Sequence, residues 1–186
     1  MTSSLPIDIL EDELRIRRLS ADDAADLLEL YSFPSVSEFE IWGSWNSDFV
    51  EATLASQADI QPGDPGVALT LAVELIPERK LIGDVQITIH SIDNAQGEIG
   101  FSFHPGYRKR GFATKAVYAV LGYGFHVLDL HRIIANVDVR NERSCRLLER
   151  LGMRREAHFK HVLQHDDKWI DDYVYAILDD EWNERA

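Results

Sequence analysis

The alternation of apolar and polar residues along the chain predicts a sheet built from several short strands. Turn residues such as Pro77 and Asn94 separate strand-like segments in the middle of the chain. Six segments have this character: residues 14–19, 67–76, 81–90, 97–103, 132–139 and 173–178. Such a series, most of it in the first two thirds of the chain, favours a sheet with many antiparallel neighbours.

Apolar residues at spacings of three and four predict four helices between these strands. Ser20 is a suitable N-cap for the first, and Gly152 a suitable stop for the last. The predicted helices span residues 20–31, 46–56, 111–128 and 141–151. Together the patterns predict the α+β class, with a mixed, mostly antiparallel sheet flanked by helices, and a final strand pair closing the sheet.

Composition narrows the class of protein. A length of 186 residues is that of one domain, so a single domain over 1–186 is expected. No apolar run reaches the roughly 20 residues that cross a bilayer, and the first residues lack the features of a secretory signal. The single cysteine, Cys145, fits a reducing cytoplasm. A net charge of −13 argues against nucleic-acid binding and favours cationic partners.

A basic turn stands out in this acidic chain. Arg108, Lys109 and Arg110 lie between a predicted strand and the helix that begins near Gly111. The first N–H groups of a helix have no intrahelical acceptor and, with the helix dipole, attract anions. Gly111 and Ala113 let a large anion approach the backbone closely. The sequence therefore predicts an anion site at this junction.

Two motifs in this region and after it resemble a known family. Arg108-x-x-Gly111-x-Ala113 resembles the signature with which the GNAT superfamily of N-acetyltransferases holds the pyrophosphate of acetyl-CoA. Asn141-x-x-Ser144, with the leucines and glycine that follow, is similar to the second signature of the RimJ/RimL-like branch. The resemblance implies a GNAT fold with splayed central strands. It also implies an acetyl-CoA-dependent enzyme that acetylates a primary amine, either a protein N-terminus or a small molecule.

The resemblance also implies which residues bind the cosubstrate. The backbone of the strand before the turn would pair with the pantetheine arm, the turn and helix start would hold the pyrophosphate, and the start of the next helix would lie beside the thioester. These residues are Phe101, Ser102, Phe103, Arg108, Lys109, Arg110, Gly111, Phe112, Ala113, Thr114 and Asn141. No metal is expected.

Transfer to an amine needs a proton for the departing thiolate. Much of the superfamily supplies it from a tyrosine four residues after the position of Ser144, and that place here is Leu148. Ser144 is the candidate donor by its resemblance to the branch. It could equally be an ordinary helix residue behind the N-cap Asn141. The neighbouring Cys145 is expected to be a packed thiol.

The base that takes the amine proton is less defined. Glu98, on the strand that precedes the basic turn, is the leading carboxylate, and a purely structural pairing across the sheet is an equal alternative. His104, Asp171 and water are the other candidates. His158, His161 and His165 are expected to be surface histidines of a polar loop rather than zinc ligands.

The acceptor pocket and the assembly rest on the resemblance alone. It places the pocket between residues 31–45 and a loop at 158–168, where Tyr31, Phe33, Glu38, Glu40, Trp42 and Trp45 either line a cleft or pack in the core. The apolar strand 173–178 with Trp182 is a candidate surface for a homodimer. The alternative function is a catalytically silent CoA-binding or assembly module of the same fold.

Overall fold

The computed structural model describes residues 7–39, 45–165 and 168–184. In chain order, these residues form β1 (Asp8–Glu11), β2 (Leu14–Arg18), α1 (Ala24–Ser32), α2 (Pro34–Ser37), α3 (Ser47–Asp59), β3 (Ala68–Leu75), β4 (Lys80–Ser91), β5 (Gln96–Phe103), α4 (Phe112–His126), β6 (Arg132–Asp138), α5 (Glu142–Arg150), β7 (Arg154–His165), β8 (Lys168–Leu178) and α6 (Asp179–Asn183). The predicted α+β class is confirmed.

The strands form one mixed sheet in the order β1-β2-β3-β4-β5-β6-β8-β7. Neighbouring strands are antiparallel except β5 and β6, which are parallel because α4 makes the crossover between them. The parallel pairing joins Gln96 to Arg132 and ends at Glu98 and Ile134. Beyond that point the two strands separate, as the splayed fold predicts.

The two faces of the sheet carry different helices. Helix α4 covers one face with a stripe of fully buried residues, and Cys145 and Leu148 of α5 extend the same core cluster. On the opposite face, α1 and α3 pack through Leu27, Leu30 and Val50 in a separate cluster. Side chains alternate along a strand, so each strand contributes to both layers. The cleft opens where the central strands separate between these layers.

Two predictions about the end of the chain were wrong. Residues 158–165, expected in a polar loop, belong to strand β7, which pairs with β8 to form a long hairpin. The segment Tyr173–Leu178, proposed as a surface for a homodimer, lies in β8 between β6 and β7. Tyr175 and Trp182 are 1% and 2% exposed, so they are core residues and are unavailable to a second copy.

Candidate functional site

A cleft of about 1070 Å³ opens between the separating ends of β5 and β6. This is about the upper end of the 300–1,000 Å³ range that is usual for small-molecule sites. On one side lie residues 99–103 of β5, which pair with β4 and lie beyond Glu98 and Ile134, the last pair of the β5–β6 ladder. Twelve of the residues predicted for the site line the cleft: Glu98, Phe101, Ser102, Phe103, Arg108, Lys109, Gly111, Phe112, Ala113, Thr114, Asn141 and Ser144.

The start of α4 forms one end of the cleft. Gly111 is the N-cap and has a φ of 83°, in the left-handed region that favours glycine. The first helical bond runs from the Lys115 N–H to the Gly111 carbonyl, so the N–H groups of residues 112–114 lie outside the helical ladder. A Cβ built on Gly111 would meet no atom within 4 Å. The helix therefore begins beside open space at Gly111, and its first N–H groups have no acceptor within the helix.

Several cations surround this end of the cleft, and at least three of them have no direct ion pair in the described part of the chain. Within the described part of the chain, Arg108, Lys109 and Arg143 form no ion pair with an acidic side chain. The Arg108 guanidinium donates instead to the carbonyl and hydroxyl oxygens of Ser35, at 3.2 and 3.0 Å. Burial, followed by the positive charge of Arg143, lowers the pKa of Arg108, and the negative charge of Glu38 opposes this shift only in part. A cluster of cations without direct ion pairs in an acidic protein is typical of an anion site.

Arg110 lies outside the lining of the cleft, unlike its two basic neighbours. Its guanidinium stacks over the rings of Phe112 and Tyr107, 4.5 and 5.9 Å from the ring centroids. This stacking covers the first turn of α4 and fixes the arginine there.

Helix α5 adds arginines that lie outside the motifs of the sequence. Arg143, Arg146 and Arg150 follow one another at spacings of three and four, so they share a helix face, and all three line the cleft. Arg150 donates to the Thr114 hydroxyl at 3.1 Å, which joins α5 to the first turn of α4. The helical spacing of these arginines was the available signal in the sequence.

The start of α5 places Ser144 at the cleft. Asn141 caps the helix, because its side-chain oxygen accepts from the Ser144 N–H at 3.2 Å. Its predicted role as N-cap is confirmed. The Ser144 side chain lines the cleft, whereas Leu148, in the place of the family's tyrosine, is completely buried in the core.

Cys145 lies next to Ser144 in sequence but faces the core. It is 8% exposed, and burial raises the pKa of its thiol. It packs against Tyr175, whose hydroxyl donates to Glu149 at 2.9 Å. A buried thiol with a raised pKa is a poor nucleophile, so the expected packed thiol is confirmed.

Glu98 occupies the point at which β5 and β6 separate. One carboxylate oxygen lies 2.7 Å from Nε2 of His90, and the other accepts from the side chain of Asn136 at 3.0 Å. Both oxygens are therefore engaged by neighbouring strands. The structure shows the cross-sheet pairing that was the alternative to a catalytic role, and it leaves the catalytic role untested.

Two further carboxylates line the same part of the cleft. Asp138, at the end of β6, is held by the backbone N–H and the guanidinium of Arg140. Asp172 on β8 is the cross-strand partner of Asp138. Neither carboxylate was predicted from the sequence, although each stands at a polar position of an alternating strand. The cleft thus has a cationic end at α4 and α5 and an acidic end at the neighbouring strands.

The other predicted candidates lie away from the cleft. His104 is 9% exposed; its Nδ1 accepts from the Gly106 N–H, and its Nε2 lies 3.1 Å from Glu29, so it stabilises the turn. Asp171 pairs with His158 at 3.0 Å and accepts from the backbone of His161. Among the residues that the structure describes, no group of three or more His, Cys, Asp or Glu side chains is placed to hold a metal. Nor does any described helix have the length and apolarity that would cross a membrane.

Some of the residues proposed for the acceptor pocket pack inside the protein, and others line the cleft. Tyr31 is completely buried and stacks on Trp45 at a centroid distance of 3.8 Å, so both pack beneath the helices. Phe33 packs edge-on against His104. Glu38 lines the cleft, and Glu40 and Trp42 lie outside the described residues.

Comparisons with known proteins agree with this geometry. The acetyltransferase (GNAT) domain family matches residues 13–154. The uncharacterized N-acetyltransferase YnaD of Bacillus subtilis is 46% identical over 86 residues, which are 46% of this chain and 51% of that protein. The uncharacterized N-acetyltransferase YoaA of the same organism is 28% identical over 174 residues, covering 91% of this chain and 96% of that protein.

A solved structure extends the likeness to the whole fold. The GNAT-family acetyltransferase from Bacillus anthracis superposes with a TM-score of 0.83 at 32% identity, over 94% of this chain and 99% of that one. The family match spans most of the chain, and the structural match spans nearly all of it. The chain therefore belongs to the GNAT family of acetyltransferases and is an N-acetyltransferase.

Proposed function

We propose that this N-acetyltransferase uses acetyl-CoA as acetyl donor and transfers the acetyl group directly to a primary amine within one ternary complex. The observation that carries the proposal is the cleft between β5 and β6, which ends at the first N–H groups of α4, where the helix offers no acceptor for them. The cleft offers the part of β5 that lies beyond its pairing with β6, then a helix start, then cations that form no ion pair in the described part of the chain. A long ligand with an amide-containing arm and a pyrophosphate fits this sequence of groups.

The residues that would hold acetyl-CoA follow from this arrangement. The N–H groups of Phe112, Ala113 and Thr114, with Arg108 and Lys109, would bind the pyrophosphate. Gly111 would leave room for it, since a side chain at this position would project into the open cleft. The backbone of Phe101–Phe103 would pair with the amides of the pantetheine arm, and Arg110 would support the helix start by stacking on Phe112.

Ser144 is proposed as the group that gives a proton to the departing thiolate. Its place in the first turn of α5, beside the cleft, supports this role. Asn141 would orient that turn through its cap. Glu98 as the base stays a prediction from the sequence, because both of its oxygens already have partners in the protein.

The finer features rest on individual observations. Asn141 and Ser144 favour the RimJ/RimL-like branch, and the acidic end of the cleft favours an acceptor that arrives as an ammonium ion. The single, buried cysteine favours a cytoplasmic location. A homodimer stays a prediction without an assigned surface. A catalytically silent CoA-binding module would share the cationic end, but would have no need of carboxylates at the acceptor end.

The test is an assay of thiol release from acetyl-CoA with a panel of primary amines, including unblocked peptides, amino acid derivatives and aliphatic polyamines. We expect amine-dependent thiol release and an acetylated product of matching mass. A protein whose melting temperature rises with acetyl-CoA, but which releases no thiol with any amine, would instead be the silent binding module. If acetyl-CoA causes no rise, the cosubstrate assignment is wrong.

A further inference from the structure

The acidic end of the cleft contains three carboxylates whose hydrogen bonds differ. Glu98 has one oxygen beside His90 and the other on Asn136. Asp138 accepts hydrogen bonds from the backbone N–H and the guanidinium of Arg140. The side chain of Asp172 has neither a hydrogen bond nor an ion pair with any residue in the described ranges 7–39, 45–165 and 168–184. It is therefore the carboxylate with oxygens available to a bound ligand.

The three carboxylates share one face of the sheet. Glu98 is paired with Ile134 in the parallel register, and Asn136 and Asp138 follow Ile134 at alternate positions of β6. Asp172 is the antiparallel partner of Asp138 and so points to the same face. Asp171 points to the other face, where it pairs with His158. The backbone of Asp171 also accepts from Val139 at 3.0 Å, which places β8 beside the turn that leads to Ser144.

Charges from several elements act on Asp172. Burial, followed by the negative charges of Asp138, Asp171 and Glu98, raises its pKa. Of the other groups in this region, Arg140 is paired with Asp138 and His90 is hydrogen-bonded to Glu98, while Glu38 lines the same cleft and its negative charge acts on Arg140. On β7 its cross-strand neighbour is the uncharged Phe159, and Leu163 and Ile170 also line this end of the cleft. A carboxylate in such surroundings binds a proton or an ammonium group more strongly than an exposed one.

We infer that Asp172 binds the acceptor ammonium and is the base that removes its proton. This inference rests on the proposed function. The ammonium gives one proton to the Asp172 carboxylate, and the neutral nitrogen then forms the C–N bond as the C–S bond breaks. The second nitrogen proton reaches the sulfur through Ser144, and Asp172 returns its proton to water in the open cleft. Glu98, hydrogen-bonded to His90 and Asn136, contributes negative charge at the point where β5 and β6 separate.

Asp172→Asn tests the inference because it keeps the size of the side chain and removes the base. We expect kcat at neutral pH, with the amine that the wild-type protein acetylates best, to fall about 10²-fold. The deficit should narrow as the pH approaches the pKa of the amine, because a neutral amine needs no base. A residue with a merely structural role would give a deficit independent of pH. The rise in melting temperature with acetyl-CoA should be unchanged.

Two matched variants complete the experiment. Asp171→Asn, adjacent in sequence but on the opposite face, should lack the pH-dependent deficit in kcat. Because the negative charges of Asp171 and Glu98 both help to raise the pKa of Asp172, Asp171→Asn and Glu98→Gln should move the acid limb of the profile only toward lower pH. If the pH-dependent deficit appears in Glu98→Gln and not in Asp172→Asn, the base is Glu98 and the inference is wrong. If neither variant shows it, the proton goes directly to water, which also overturns the inference.

A stability measurement gives a second readout that needs no acceptor. Because the pKa of Asp172 is raised in the folded protein, its charge destabilises the fold at pH values above the unfolded pKa of 3.8. Asp172→Asn should therefore raise the melting temperature at neutral pH, and the difference should shrink as the pH falls toward 3.8. A lowered melting temperature at neutral pH would contradict this account of Asp172. A wild-type protein that acetylates no amine would instead contradict the proposed function.

Discussion

At the scale of the residue, Ser144 offers a clear separation of catalysis from binding. If its hydroxyl protonates the thiolate, Ser144→Ala removes an interaction made mainly in the transition state. We expect kcat to fall on the order of 10²-fold while the affinity for acetyl-CoA, measured by calorimetry, stays the same. The helix should not suffer, because alanine is the better helix former and the cap depends on the backbone N–H of this residue.

The neighbouring Cys145 provides the control for this prediction. Its thiol is buried, so Cys145→Ala should reduce stability through a small cavity and leave kcat close to normal. Ser144→Thr, which retains a hydroxyl, should retain part of the activity. Near-normal kcat in Ser144→Ala, with an acceptor whose chemical step limits the rate, would assign the proton to water or to another donor.

At the scale of the element, the start of α4 should decide whether acetyl-CoA binds. Gly111→Asp places bulk and negative charge in the open space before the first N–H groups of the helix. We expect this variant to lose the rise in melting temperature that acetyl-CoA and desulfo-CoA cause in the wild-type protein. Differential scanning calorimetry at several ligand concentrations measures the effect directly.

Gly63 supplies a matched control for backbone strain. It has a φ of 97° and, like Gly111, has no atom within 4 Å of a built Cβ, but it lies in a turn away from the cleft. Gly63→Asp should carry a similar conformational cost and keep the full response to acetyl-CoA. An undiminished response in Gly111→Asp would show that the pyrophosphate binds elsewhere.

The elements also show what the sequence could predict. Helix α4 and the strands β3 to β6 were predicted to within about three residues, because their apolar periodicity matches the packing that they make. The hairpin of β7 and β8 was partly missed. Bulges between Arg155 and Ala157 and between Phe159 and Leu163 break the alternation, and β7 is an edge strand with polar residues on both faces.

The candidate site, like the fold, could be predicted from the sequence only in part. The part of the cationic end at α4 could be predicted because its residues are contiguous and belong to a motif: the turn, Gly111 and the first turn of α4. At the acidic end only Glu98 could be predicted, since Asp138 and Asp172 are brought together by the antiparallel register of β6 and β8. A local sequence pattern does not indicate which strands pair when those strands are distant in sequence.

At the scale of the whole molecule, an ion-pair network joins the strands of one sheet edge to the helix layer. Arg17 of β2 donates to both carboxylate oxygens of Asp23 at 2.8 Å and to Glu74 of β3 at 2.7 Å. The Arg17 and Asp23 side chains are 21% and 5% exposed, and Asp23 also accepts from the backbone and hydroxyl of Ser20. The network therefore fixes the start of α1. This helix belongs to the layer on the face of the sheet that carries Glu98, Asp138 and Asp172.

The contributions of Asp23 and Asp172 to the stability of the fold should change in opposite directions as the pH falls. Burial opposes the charge of Asp23, but the hydrogen bonds from Arg17 and Ser20 outweigh it and lower its pKa below 3.8. Its charge therefore stabilises the fold above pH 3.8, and the stabilisation is lost as the pH falls through the lowered value. Asp23→Ala should reduce the free energy of unfolding at neutral pH by roughly 3 kcal/mol, the lower end expected when one partner of a buried pair is removed, since Arg17 keeps Glu74.

Urea denaturation at neutral and acid pH measures this difference, and the exposed neighbour Asp22 gives the control. Asp22→Ala should change the unfolding free energy by no more than about 0.5 kcal/mol at either pH. The deficit of Asp23→Ala should narrow in acid, because the wild-type carboxylate also loses its charge there. A deficit that is constant with pH would mean that Asp23 acts through packing and the cap to Ser20, with no contribution from its charge. Asp172→Asn, measured in the same series, should be more stable than the wild-type protein at neutral pH, and this difference should also disappear in acid. The reason is that the fold stabilises the charge of Asp23 and disfavours the charge of Asp172 at the acceptor end of the cleft.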